Sequence, residues 1–275
     1  MRMDYSKLII KDEAFTKEEF RLERDENGIL ETRPRPNNLS KYYNFGGYIS
    51  HQSNKKTLIH KLYTVVKQYM FKAKFNLIKS HSDELNSVLD FGCGTGDFLN
   101  YIKKKNINAE GVEPTRLAFQ KAKENGIKVY KEISEVEKTY DAISLFHVLE
   151  HVDNYNETLG ELVSRLNSKG VLLIAVPNYK SHDALYYKEK WAAWDVPRHL
   201  WHFSKDDIKD LAKQHNLELI KISPMPFDAI YISMVSESYR DNSRLFGLWQ
   251  GLLSNVKALR TKEYSSNLFL MQKRL

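Results

Sequence analysis

The feature that most constrains this chain is a short apolar run that stops at a cluster of glycines, Ser87-Val-Leu-Asp90-Phe-Gly92-Cys93-Gly94-Thr-Gly96. A strand that turns sharply into a helix needs glycine there, because a residue without a Cβ passes through the turn and lets a ligand reach the main chain. Asp97 to Lys105 reads as the helix that follows. The spacing is G-x-G-x-G rather than the G-x-G-x-x-G of dinucleotide enzymes, and the sequence contains no G-x-x-x-x-G-K-[ST] phosphate loop. Glu113, 21 residues past Gly92, ends the next strand, where an acidic side chain can accept hydrogen bonds from ribose hydroxyls.

The same alternation continues downstream. Ala109 to Glu113 reads as a strand, Thr115 to Asn125 as a helix stopped by Gly126, and Val129-Tyr130 and Tyr140 to Phe146 as strands. Asn156 to Leu166 reads as a helix and Gly170 to Val176 as a fully apolar strand. Strands alternating with helices predict an α/β fold, a mostly parallel sheet of seven strands with helices on both faces. After that fifth strand the rhythm breaks over residues 179–203, an insertion dense in Trp, His and Tyr. Ser204 caps a helix to about His215, Leu217 to Ile222 is the sixth strand, residues 226–260 are two apolar helices, and Ser265 to Met271 is the last strand.

Upstream, residues 1–53 read as one or two short strands and an ordered loop. A long amphipathic helix reaching Ile78 follows, with Leu58, Leu62, Val65 and Tyr69 three or four apart. The expected organisation is a 1–80 segment ending in a basic lid helix, then a ligand-binding domain over 81–275 carrying insertions at 179–203 and 226–260.

Composition matters at three points. The formal net charge is +7, and Lys55, Lys56, Lys61, Lys67, Lys72, Lys74 and Lys79 fall in a stretch without an acidic residue. That face either is simply solvated or meets phosphates, nucleic acid or an anionic membrane. The single cysteine, Cys93, excludes an intramolecular disulfide and a cysteine-based zinc site, and it reads as a small packed residue rather than a nucleophile. The N-terminus turns acidic too early for a secretory signal, and Val171 to Val176 is too short to span a bilayer, so a cytoplasmic protein is expected.

In combination these motifs resemble class I S-adenosylmethionine (SAM)-dependent methyltransferases with a Rossmann-like fold. Val88 to Asp97 is similar to their first glycine motif and Gly111-Val-Glu-Pro114 to the acidic motif after it. Tyr140 to Val152 is similar to the fourth-strand motif and Gly170 to Asn178 to the fifth strand. The resemblance implies that Gly92, Cys93, Gly94 and Gly96 wrap the methionine end of SAM, with Asp90 orienting the loop or the ligand amine. It implies that Glu113 and Pro114 hold the ribose, that Glu132 and Ile133 edge the adenine, and that Phe146 and His147 close the methionine side. S-adenosylhomocysteine would be the product.

Methyl transfer from a sulfonium is an in-line displacement, so an enzyme mainly aligns the acceptor and excludes water, and a hydroxyl acceptor gains from a general base. Candidates fall in His147-Val-Leu-Glu150-His151 and in Trp194-Asp195-Val-Pro-Arg198-His199-Leu-Trp-His202-Phe203. Together these stretches resemble a bacterial subgroup related to quinone-biosynthesis O-methyltransferases (methyltransferase type 23-like). His151 and His199 are the preferred bases, each weighed against a structural histidine. Trp194, Asp195, Arg198 and His202, with Tyr43, Tyr48 and His51 from the lid, are substrate candidates weighed against plain packing.

A divalent ion on His147, Glu150, His151 and either His199 or His202 is an alternative that resembles small-RNA 2′-O-methyltransferases. His147 stands where those enzymes carry glutamate, and no metal is assigned. The leading function is thus methylation of a hydroxyl on a small-molecule, lipid-like or saccharide acceptor. RNA 2′-O-methylation, favoured by the basic helix, and a non-catalytic SAM-binding protein are the alternatives. Leu145-Phe-His-Val148 lacks the Asn-Pro-Pro-Tyr-type signature of base methylation. The apolar stretch Phe227 to Leu253 is left open among an acceptor wall, a dimer surface and a peripheral membrane contact.

Overall fold

A computed structural model describes residues 5–43, 58–82 and 84–274. The central sheet is built from β4 (Ser87–Phe91), β5 (Asn108–Val112), β6 (Lys128–Tyr130), β7 (Tyr140–Phe146), β8 (Leu166–Pro177), β10 (Leu217–Pro224) and β11 (Ser266–Lys273). Their spatial order is β10-β11-β8-β7-β4-β5-β6. β4 to β8 run parallel, and β11 enters antiparallel between β8 and β10. The expected α/β class and seven-stranded sheet are what the chain forms.

The apolar runs read from the sequence are continuous because these strands are covered on both faces. Along β8, Leu172, Ile174 and Val176 join one core, while Val171, Leu173 and Ala175 join the other. The first core is closed by α4 (Tyr155–Ser164) and α6 (Lys205–Gln214), through Leu159, Leu162, Ile208 and Leu211. The second is closed by α1 (Leu58–Lys79), α2 (Asp97–Lys103) and α3 (Arg116–Glu124), through Ile78, Leu99, Ile102 and Ala122. Ends are set locally: Asn154 accepts hydrogen bonds from the Asn156 and Glu157 amides, and Ser204 forms a capping box with Asp207.

Three parts differ from the expectation. The N-terminal segment holds three strands, β1 (Ile9–Lys11), β2 (Glu19–Arg24) and β3 (Leu30–Arg33), rather than one or two. They pair antiparallel with each other and with β9 (Trp201–His202) from the insertion, so a second, four-stranded sheet joins distant parts of the chain. On α1, Val65 and Tyr69 face solvent and the packed side carries Phe71, Lys74, Phe75 and Ile78. Of the expected stripe only Val65 and Tyr69 can be placed, since the side chains of Leu58 and Leu62 lie outside the described residues.

The insertion, finally, is largely core. Tyr179, Tyr187, Trp191 and Trp194 pack with Ile10, Phe20 and Leu22 into a third cluster. It also contains the short helix α5 (His182–Tyr187). The expected pair of late helices is α7 (Pro226–Ser238) and α8 (Arg244–Thr261).

Candidate active site

The strand order reverses between β4 and β7, and the ends of those strands open a crevice where ligands of open α/β sheets bind. A cavity of about 790 Å³ lies there, lined by Phe91, Gly92, Glu113, Pro114, Thr115, His147, Val148 and His151 among others. Gly92, Gly94 and Gly96 all have positive φ (74°, 56° and 77°), the left-handed region that glycine enters without steric cost. A Cβ on Gly92 would overlap the Val148 side chain, whereas one on Gly94 would meet nothing within 4 Å. The loop is therefore packed on one side and bare on the other.

The acids of this region are placed differently. Asp90 is buried and accepts a 2.6 Å hydrogen bond from Ser144 Oγ. Burial pushes its carboxyl up to about 7, against the pull of Ser144 and Lys74. Lys74 reaches in from α1 with Nζ 3.5 Å from the centre of the Phe146 ring, and burial lowers it to about 8. Sequence reasoning missed Lys74 as a site residue because it counted the side chain with a solvated basic face. Glu113 ties the loop together, accepting from the Gly94 amide at 2.9 Å and the Thr115 amide at 2.8 Å. Cys93 is buried and its thiol is pushed up by burial, as expected of a packed residue.

Glu132 and Ile133 are not among the residues lining the cavity. Glu132 is exposed and forms a capping box with Glu135, and Ile133 packs against the first core. Phe91, Thr115 and Val148 line the cavity instead, and only their positions at strand ends and loop could have signalled it.

A second cavity, about 680 Å³, shares His147 and His151 with the first and is otherwise lined by Asp195, Arg198, His199, Asp228, Tyr231, Ile232, Val235 and Tyr239 among others. His147, at the end of β7, has φ +56° and lies between two carboxylates. Its Nδ1 is 3.4 Å from Glu150 Oε1 and its Nε2 is 3.1 Å from Asp228 Oδ2. Burial alone would lower this imidazole, but Asp228 and Glu150 raise it to about 10. It is a cation held in place.

His151 and His199 meet edge to face, ring centres 4.6 Å apart. His151 Nδ1 is 2.9 Å from the Arg198 carbonyl and His199 Nδ1 is 2.9 Å from the Ala193 carbonyl. A carbonyl only accepts, so each Nδ1 carries a proton, which leaves Nε2 as the nitrogen that can exchange one. Burial first, and His151 second, push His199 down to about 4, so its ring is neutral at pH 7. Tyr43 Oη lies 3.1 Å from His151 Nδ1. Glu150 is buried beside both rings; burial acts to raise its carboxyl, but the neighbouring histidines, His147 foremost, lower it. Its Oε2 has no hydrogen-bond partner among the described residues.

The remaining candidates divide. Arg198 and Asp195 line the second cavity, but the guanidinium is itself buried and engaged by Asp195, at 2.7 Å, and by Asp12, at 3.0 Å. Trp194 and His202 lie outside it: Trp194 donates to the Lys188 carbonyl in the third core, and His202 Nε2 is 2.9 Å from Thr32 Oγ1. A dense aromatic stretch resembles a pocket lining in sequence; the Trp194 ring packs in the third core. Tyr48 and His51 fall outside the described residues.

A glycine loop at a strand-order reversal, an acid closing it from the next strand, and β11 antiparallel in an otherwise parallel run define a Rossmann-like methyltransferase. The family model described as "Methyltransferase domain" matches residues 60–222, more than half of the chain. The protein belongs to this family and is a SAM-dependent methyltransferase. It is 29% identical over 171 residues to a ubiquinone biosynthesis O-methyltransferase of Rickettsia bellii, covering 55% of this chain and 70% of that one. The magnesium protoporphyrin IX methyltransferase of Synechocystis PCC 6803, solved with bound S-adenosylhomocysteine, shares the fold at TM-score 0.56 and 12% identity, over 85% of this chain and 97% of that one. A SAM-dependent methyltransferase of Thermotoga maritima, described as a possible histamine N-methyltransferase, aligns at TM-score 0.53 and 18% identity over 78% and 95%.

Proposed function

We propose that this enzyme methylates a hydroxyl group of a small, lipid-like or saccharide acceptor held in the second cavity. The observation that carries the reading is the His151–His199 pair: two imidazoles with Nδ1 fixed on backbone carbonyls and Nε2 left to exchange a proton, His151 lining both cavities and His199 the second. The quinone-biosynthesis O-methyltransferases among its relatives support a hydroxyl acceptor.

The first cavity fits SAM. The bare side of the glycine loop would take the methionine end, Glu113 and Pro114 the ribose, and Asp90 the ligand amine, whose positive charge would draw the proton off a carboxyl poised near neutrality. Bound SAM supplies a methyl group on a positively charged sulfur. His151 or His199 Nε2 would accept the proton from the acceptor hydroxyl as its oxygen attacks, and burial of His199 would keep water from competing there. Between Glu150 and Asp228, His147 would hold its charge at the wall shared by both cavities and orient the acceptor. A base of this kind contributes typically about 10²–10⁴-fold. His151→Ala and His199→Ala should therefore lose turnover on phenolic or catechol acceptors by that order while keeping affinity for S-adenosylhomocysteine. Normal turnover in both variants would remove the proposal.

One observation favours a metal-assisted form. Glu150, His151 and His199 each offer a ligand atom within 4.8 Å of the others, and Glu150 Oε2 lacks a hydrogen-bond partner among the described residues. A carbonyl on each Nδ1 is the outer support that metal-bound imidazoles commonly have. A divalent ion there would polarise the acceptor oxygen. Of the wider set considered from sequence, His202 is engaged with Thr32 and His147 with Asp228. Activity abolished by chelation and restored by added metal is the expected result of this form; activity indifferent to chelation leaves the histidine base alone.

A further inference from the structure

The apolar stretch that the sequence leaves open lies mostly on α8, and this helix is built inside out. Its inner side is small: Gly247, Gly251, Ser254 and Ala258 are buried. A Cβ on Gly247 would fall 2.5 Å from Met234 Cα of α7, and one on Gly251 2.6 Å from Ile230 Cα. The outer side is large and apolar. Leu245 is 77% exposed, Trp249 61%, Val256 60% and Leu259 61%, with Leu248 and Leu252 completing a stripe at three- and four-residue steps. So many large side chains on one face mark a contact surface rather than scattered exposure.

Charge identifies what covers it. From Arg244 to Lys262 there is no acidic residue, while Arg244, Lys257, Arg260 and Lys262 are cationic and exposed. The nearest acids in sequence are Asp241, upstream of the helix, and Glu263, next to Lys262 and paired with Lys205 at 3.1 Å. Pairing with a second copy across a two-fold axis would set a cationic end of one helix against a cationic end of the other whichever way the helices run, like charges with no acid on the helix to offset them. An anionic bilayer meets both demands, because the stripe sinks to the headgroup boundary while the cations contact the headgroups. Among the described residues no helix is long and apolar enough to cross a membrane.

We propose that α8 docks the enzyme on bilayers containing anionic phospholipid, lying in the interface with Trp249 as its anchor. α7, the other arm of this hairpin, walls the second cavity with Asp228, Tyr231, Ile232 and Val235, so docking sets that cavity against the lipid phase. The docking itself does not rest on the identity of the acceptor.

The test is vesicle flotation of the full chain with phosphatidylcholine alone and with added phosphatidylglycerol, alongside tryptophan emission. Trp191, Trp194 and Trp201 are buried, so a blue shift on vesicle addition reports Trp249. The protein should float with the anionic vesicles and shift its emission. Trp249→Glu with Leu252→Glu should abolish both. Lys257→Gln with Arg260→Gln should weaken binding roughly tenfold or more, each cation near such a surface being worth about fivefold. Unchanged circular dichroism and unchanged S-adenosylhomocysteine binding in these variants confirm that the fold is intact. Equal binding to neutral vesicles, or binding that the face variants leave untouched, overturns the proposal. So does failure to bind together with a concentration-dependent dimer that Trp249→Glu dissolves, which would make the occupant a second copy.

Discussion

At Gly92 a side chain has no room on the protein side, because Val148 from the segment after β7 already fills it. Gly92→Ala should cost about 2–4 kcal/mol, the sum of a left-handed alanine and an overpacked contact. Gly94→Ala, at φ +56° with open space around it, should cost only about 1 kcal/mol. Val148→Ala should recover part of the Gly92 loss and none of the Gly94 loss, measured by urea unfolding as a double-mutant cycle. The glycine turn was legible because it obeys a backbone rule that sequence displays directly, whereas the bonds that Glu113 accepts from the Gly94 and Thr115 amides were not. The carboxylate of Glu132 caps a short turn through Glu135, a local hydrogen bond that spacing does not reveal.

His202 gives the residue-scale prediction for pH. Burial, and then His199, hold its imidazole well below the ordinary histidine value of about 6.5. The folded chain thus keeps it neutral where the unfolded chain would be protonated. Its contribution to stability is whole above about pH 6.5 and is lost as the pH falls below that value. The melting temperature should drop on acidification from pH 6.5 to 5, and His202→Gln, which can still bond Thr32, should flatten that drop. An equal drop in the variant would assign the acid sensitivity elsewhere.

Among the elements, the second sheet depends on one buried cluster. Arg198 reaches from the insertion to Asp195 and to Asp12 beside β1, and Asp12 also accepts from the Thr16 amide and hydroxyl. Removing the cation leaves the buried Asp12 and the half-buried Asp195 without their counter-charge, so Arg198→Ala should cost about 3–5 kcal/mol. Asp12→Asn in that background should give part of it back. A loss under about 1 kcal/mol would mean that the cluster is more hydrated than its burial indicates.

This sheet was the least legible part of the fold. β2 alternates buried and exposed residues over a charged sequence, and β3 pairs with β9, whose Trp201 lies 170 residues beyond Glu31. Single-sequence periodicity carries no record of such pairing. The buried parallel strands, by contrast, announce themselves as unbroken apolar runs because both faces are covered.

At the scale of the whole molecule, the chain places a cofactor crevice at the strand-order reversal and a second cavity under the α7–α8 hairpin, with His147 and His151 common to both. The crevice could be read from motifs lying in order along the chain. The second cavity could not, because its walls come from the insertion, from α7 and from the segment near Ala14, and only folding brings them together.

The central claim is that the glycine-lined crevice binds SAM, and thermal unfolding tests it most directly. The protein is melted alone and with S-adenosylhomocysteine, SAM or NADH, each at about 100 times its expected dissociation constant, where a native-state ligand stabilises by about 2.7 kcal/mol. A rise in melting temperature with the two sulfur ligands, absent with NADH and lost in Gly94→Trp, is the predicted result. No rise with either sulfur ligand, or a rise with NADH alone, would contradict it.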